Sequence, residues 1–263
     1  MEPTDLQRLR KWFDDYARTF FTGNDRADGP IRLKYDHTLR VCDNARMLGA
    51  SVSLSDSEVL LVETAALFHD VGRFRQYRDW GTFVDRLSVN HARLGLQVLG
   101  RHRVLDLLAV EERRIVAGAV CWHNALSVPS RVGGRRRRIA LLLRDADKLD
   151  IWKVVTDYYR RRMQGQERDS AVELSLPDGD VCSTGALSSL AEGRMVRLPD
   201  VRTLNDFKLL QIGWVYDLNF PAAFRLLDQY GFLSSIAETL PKTDNVQQAV
   251  GRAMVYLKHR AAE

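Results

Sequence analysis

Apolar residues recur at three- and four-residue spacings along most of the chain. Leu6, Leu9, Phe13, Tyr16 and Phe20 set the pattern at the start, as expected when residues that far apart share one helix face. Strand-type alternation is scarce. Ser55 and Glu58 form a capping box ahead of Val59–Phe68, because the serine can bond the N3 amide while the glutamate reaches back. This predicts a helix running into His69 and Asp70, with Gly72 as its terminator. Further helices are predicted at about 37–50, 90–99, 103–125 and 137–163, and RFRQYRDWGTFVDRLS between them reads as an irregular loop with Gly81 and Asp85 in its turns. Beyond Gly165–Ser183, an excursion or lid holding Pro177 and two glycines, Phe207, Leu210, Trp214 and Leu218 predict a long amphipathic helix. Val246, Val250, Met254 and Leu257 predict another. The expected fold is all-α, a single domain over 1–263 with a core at about 30–160 and a helical C-terminal extension at about 183–263.

A chain of 263 residues, 45% hydrophobic, can bury one substantial core. Cys42, Cys121 and Cys182 are odd in number and form no CxxC pair, which argues against a disulfide framework and a cysteine zinc site. The opening MEPTDLQRLRKWFDDYARTFF lacks a signal-peptide apolar stretch, and no aliphatic run approaches the roughly 20 residues of a membrane helix. A soluble cytoplasmic protein is expected. A net charge of +5 is too modest to call for nucleic acid. The runs Arg135–Arg138 and Arg160–Arg162 read first as solvated helix ends.

The candidate chemistry lies in a scattered set of histidines and aspartates. His37, in KYDHTLRVC, shares helical spacing with Leu33, Val41 and Ala45 and would by itself be a buried, hydrogen-bonded histidine. The adjacent His69-Asp70, together with His91 and His123 near the ends of short apolar helices, makes coincidence the weaker account. His102 and His259 stand in basic surroundings and read as surface residues. Asp145 and Asp147, in RDADKLD, offer a further carboxylate. Helix geometry alone does not choose between them.

The order His37, His69-Asp70, then an aspartate in ADKL resembles the HD superfamily of metal-dependent phosphohydrolases, over roughly residues 33–153. The resemblance implies a helical core with His37, His69, Asp70 and Asp147 as ligands to a divalent ion (Mn, Mg, Fe, Co or Ni). Asp147 is preferred because family members place the ligand in an Ala-Asp-Lys/Arg-Leu context, leaving Asp145 to orient a ligand from behind. His91 and His123 match positions that hold further metals in some HD phosphodiesterases. Asn124 stands where such enzymes often have another histidine, so one tight ion with room for a weaker second is expected.

Such a site implies hydrolysis of a phosphate ester by metal-activated water. Asp70 would ligate or bridge, Arg73 would take phosphate with its guanidinium fork, and Lys148 would assist. Arg75 and Tyr77 are the further substrate-binding candidates, in a loop whose aromatic rings and arginines suit a nucleotide or similar small molecule. HDVGR keeps the charge of the HD-x-G-Lys pattern, whereas VGRFRQYR lacks the acidic residue usual in deoxynucleotide monophosphatases and ppGpp hydrolases. The GYP signature of the cyclic-di-GMP branch is also missing. The alternatives are a di-iron oxygenase on the same fold and a metal-containing binding or regulatory module without turnover.

Overall fold

The computed structural model describes residues 1–263 apart from the side chain of Ser170. Helices dominate, and no strand occurs among the described residues, in agreement with the all-α expectation. The chain divides into two compact units, Met1–Asp150 and Ile151–Glu263.

In the first unit α1 (Pro3–Arg18), α2 (Asp25–Ser51), α3 (Asp56–Phe68), α4 (Val71–Trp80), α5 (His91–Arg101) and α6 (Val110–Trp122) precede α7 (Gly134–Met163), which runs on past Asp150. Helix α3 is the centre of this unit. Its residues from Leu61 to Phe68 are all buried, and it packs against α1, α2 and α6, as a helix apolar on every side must. Each Leu or Phe buried there stabilises the fold by roughly 1.5–3 kcal/mol. The one acidic residue in that stretch, Glu63, pairs with Arg10. The capping box forms as expected, with Ser55 N donating to Glu58 Oε2 at 3.1 Å.

Several boundaries differ from the periodicity. The segment after Asp70 is helix α4, not a loop. Its buried positions are Val71, Gly72, Phe74 and the amide side chain of Gln76, so a buried polar residue and a glycine break the apolar stripe that would have marked it. Gly72 lies inside α4 instead of ending α3: a Cβ there would come within 2.3 Å of His91 O and 2.6 Å of Gly95 N. Glycine is required because α4 and α5 approach backbone to backbone. The stop is Gly81, at φ +64°, whose N–H bonds Tyr77 O at 2.7 Å. Helix α2 begins well before residue 37, at Asp25, where Asn24 accepts from the N–H groups of Arg26 and Ala27. Pro30 lies inside this helix. The expected helix at 103–125 is a 3₁₀ turn, Val104–Leu107, followed by α6.

The second unit holds the end of α7 and then α8 (Ser170–Glu173), α9 (Thr184–Ala191), α10 (Leu204–Gly213), α11 (Pro221–Gln229), α12 (Phe232–Ala237) and α13 (Asp244–Ala261). All ten residues of α10 are buried, and α9, α12 and α13 pack around it. The long amphipathic helix expected through Trp214 and Leu218 stops at Gly213 and becomes a 3₁₀ turn, Trp214–Asp217. A helix enclosed on every side has no single stripe to extend. Helix α13 keeps its stripe, with Val246, Val250 and Leu257 buried. Most of Gly165–Ser183 is irregular, yet it is pinned by buried Glu173, which accepts from Tyr158 OH at 2.6 Å and Arg168 Nε at 2.5 Å. No helix among the described residues is long and apolar enough to cross a membrane.

Candidate metal centre

Five helices of the first unit deliver the histidines and aspartates to one place. Helix α2 carries His37, the end of α3 carries His69 and Asp70, α5 opens on His91, α6 ends at His123, and α7 carries Asp147. Relative exposure of the four histidines and Asp70 is at most 8%. Asp70 stands at the midpoint. Its Oδ2 lies 3.7 Å from both His37 Nε2 and His69 Nε2, and its Oδ1 lies 3.5 Å from His91 Nε2 and 3.8 Å from His123 Nε2. Two three-residue pockets therefore share one carboxylate: His37, His69 and Asp70, and Asp70, His91 and His123. Asp147 joins the first, with Oδ1 3.2 Å from His37 Nε2 and 3.6 Å from His69 Nε2.

The other side of each ring is already committed. His37 Nδ1 is 2.7 Å from Asp150 Oδ2, and His91 Nδ1 is 2.8 Å from Asp85 Oδ2. His69 Nδ1 meets Ala66 O and His123 Nδ1 meets Val120 O, both at 2.7 Å. Each pocket thus has one imidazole backed by a carboxylate and one backed by the carbonyl of its own helix end. Acceptors at all four Nδ1 atoms hold a proton there, so that in each ring, when neutral, the Nε2 lone pair faces inward. His91 Nε2 and His123 Nε2 then face each other at 2.9 Å. Two neutral rings in that tautomer offer two acceptors and no proton. The contact suits a cation bound by both.

The electrostatics agree. Burial lowers the pKa of His69, His91 and His123, the last to about 3, where His91 and His69 add repulsion. These rings are neutral bases, the form a metal requires. Burial also acts downward on His37 and Lys34 adds to it, but hydrogen bonds with Asp147 and Asp150 outweigh both and raise its pKa. Burial alone would raise the Asp70 carboxyl, yet Lys34, His69 and Arg73 hold it well below the usual range. Asp147 is likewise held low against burial by His37 and His69.

The remaining predicted residues are placed unequally. Arg73 touches Asp70 Oδ1 through Nε at 3.3 Å, while its NH1 is engaged by Gln76 Oε1 at 2.8 Å, Phe83 O at 2.6 Å and Asp85 Oδ1 at 3.1 Å. Lys148 and Asp145 are buried on α7. Arg75 is turned to Asp79 at 3.1 Å on an exposed face of α4 and is not brought to the cluster. Tyr77 packs against Phe83 with ring centroids 4.9 Å apart and planes tilted by 37°. Asn124 Nδ2 lies 3.3 Å from Asp85 Oδ2.

Several working residues escaped the sequence reading. Lys34 Nζ bonds Asp70 Oδ2 at 2.8 Å. Arg40 grips Asp150 through Nε at 2.6 Å and NH2 at 3.0 Å. Buried Arg144 donates to the carbonyls of Trp122, His123, Ala125 and Leu126 and so fixes the end of α6. Lys34 and Arg40 lie one turn either side of His37, and Asp150 lies one turn after Asp147. The two histidine pairs are each 32 residues apart, a spacing that could have paired them from sequence.

Four inward lone pairs and two carboxylates are a donor set that fits divalent ions bound by nitrogen and oxygen. The family model described as HD domain matches residues 35–152, a span containing every residue of both pockets. No curated protein and no solved structure matches the chain.

Proposed function

We propose that this chain is a metal-dependent phosphohydrolase of the HD superfamily acting on a nucleotide or similar small phosphate ester, a reading supported by the match of residues 35–152 to the HD-domain family model. The observation that carries this reading is the sharing of Asp70 between two buried histidine pairs. Divalent ions held there would supply charge at phosphoryl oxygens and a water of lowered pKa. The protein's own part is positioning. His37, His69, Asp70 and Asp147 would hold one ion, while Asp70, His91 and His123 would hold a second with less negative charge around it. Asp150 and Asp85 keep two of the rings in the ligating tautomer. Burial of the cluster keeps bulk water from screening it, which strengthens the electrostatic stabilisation that phosphoryl transfer depends on. The free thiols of Cys42, Cys121 and Cys182 support a reducing compartment.

The test is metal analysis of gently purified protein, with assays of phosphomonoesters, phosphodiesters and nucleotides in Mn, Mg, Co and Ni. His69→Ala and Asp70→Ala are expected to lose metal and turnover together. Wild-type metal content and turnover in both variants would sink the reading. The four imidazoles also favour a second reading, a di-iron oxygenase, since imidazole suits iron. Stoichiometric iron and an oxygen-dependent spectrum would point there, and tight ligand binding without turnover in any metal would point to a regulatory module.

A further inference from the structure

Two cations, Lys34 and Arg73, reach Asp70, and their surroundings differ. The Arg73 guanidinium is spread over Asp70, Gln76, the Phe83 carbonyl and Asp85. Those bonds tie α4 to the segment that leads into His91. Moving the guanidinium to a ligand would break them. Lys34 meets the other carboxylate oxygen from α2, one turn before His37 and just outside the residues matched by the HD family. Its Nζ is 2.8 Å from Asp70 Oδ2 and 5.5 Å from the centroid of the Phe83 ring. Its side chain keeps 17% exposure where that of Asp70 keeps 4%.

We propose that Lys34, and not Arg73, is the cation that receives the anionic oxygens of the substrate. This rests on the metal-dependent reading above. Asp70 Oδ2 is the oxygen that faces His37 and His69, so a divalent ion in that pocket and the Lys34 ammonium draw on the same lone pairs. The ion repels the ammonium. Lys34 has a flexible four-carbon stem and three N–H donors, so it can turn from Asp70 to an anion at the rim of the pocket without unfolding anything. The Phe83 ring gives the ammonium a cation–π contact where it now stands. One consequence separates Lys34 from a residue that merely neutralises Asp70. Removing it leaves metal affinity equal or tighter, because a competing cation has gone, while anion affinity falls.

The experiment uses the full chain, manganese titrated in competition with a chelator, and inorganic phosphate as the anion probe on the manganese-loaded protein. Lys34→Gln is expected to bind manganese at least as tightly as wild type and phosphate about tenfold or more weakly, the usual worth of a charge-assisted hydrogen bond. Lys34→Arg, which keeps the charge, is expected to restore most of the phosphate affinity, and melting curves of both variants report on folding. Unchanged phosphate binding in manganese-loaded Lys34→Gln overturns the proposal. Loss of manganese from a folded Lys34→Gln also overturns it, since Lys34 would then serve only to hold Asp70. A wild-type chain that binds no manganese sinks the metal-dependent reading itself, and this proposal with it.

Discussion

Asp85 accepts from His91 Nδ1 through both carboxylate oxygens, at 2.9 and 2.8 Å. The same carboxylate takes Arg73 NH1 at 3.1 Å and Gln76 Nε2 at 2.9 Å. A single side chain therefore sets the tautomer of one ligand and ties the 81–90 segment to α4. Burial alone would raise the Asp85 carboxyl, but the bond and charge of His91, with Arg73 and Gln76, lower it to about 2. It stays a full acceptor throughout the neutral range.

Asp85→Asn tests that role directly. The carboxamide can donate to Nδ1, which drives the imidazole proton to Nε2 and closes the lone pair facing the second pocket. Metal affinity of that pocket should fall about 10- to 100-fold, while the pocket of His37, His69 and Asp147 keeps its ion. Metal content after extensive dialysis reads this as the loss of the more weakly held ion alone. Equal retention of both ions in a folded Asp85→Asn protein would remove Asp85 from the site.

Asp150 makes the matching prediction for the first pocket. It is buried between His37 Nδ1 and the Arg40 fork. Asp150→Ala strips His37 of the acceptor that fixes its proton and leaves the Arg40 guanidinium without its partner. First-pocket affinity should drop about 10- to 100-fold. Cobalt titration followed by its visible spectrum checks this, and a wild-type binding curve in a folded Asp150→Ala protein contradicts it.

The difference between these aspartates and the ligands explains what was legible in the sequence. His69-Asp70 stood out because its signal is local: two ligands side by side at the end of an apolar run. Helices α1 and α13 were legible because each buries one face. Helix α4 was not, because Gln76 is buried by hydrogen bonds to Asp85, Ser88 and Val89, and no spacing rule anticipates a buried amide. Asp150 meets His37 across 113 residues of chain, a contact created only when α7 packs beside α2. Gly72 departs from a helix terminator for a related reason. Its lack of a side chain answers to α5, not to the end of α3.

The buried histidines also fix how stability responds to pH once metal is stripped with a chelator. His69, His91 and His123 have pKa values lowered in the fold, so below about 6.5 the unfolded chain binds protons that the fold refuses. Stability then falls as pH falls. His37 has the opposite sign: its raised pKa gives a contribution complete at low pH and lost as pH rises through the raised value. Three groups against one leave a net loss on acidification. From pH 7.5 to 5.5 an imidazole such as His123, at about 3 in the fold, costs about 1.4 kcal/mol. Urea unfolding midpoints of chelated protein should therefore be lower at pH 5.5. A midpoint that is flat or rises contradicts neutral burial of these rings.

Gly72→Ala probes the backbone approach that sets His91 in place. The new methyl would lie 2.3 Å from His91 O and 2.6 Å from Gly95 N, and neither is a flexible side chain that can swing away. Helices α4 and α5 must separate, at a cost of about 1–3 kcal/mol or more, which for a chain of this size lowers Tm by at least a few degrees. The shift also moves His91 relative to Asp70, so the second pocket should lose affinity along with stability. Gly100→Ala, in the same helix α5 with nothing within 4 Å of the added atom, serves as the control. There the alanine should leave Tm unchanged or raise it, by up to about 1 kcal/mol of helix propensity. Melting curves and metal content of the two variants decide the matter: a Gly72→Ala protein that melts with wild type means the two helices are not held as close as the structure has them.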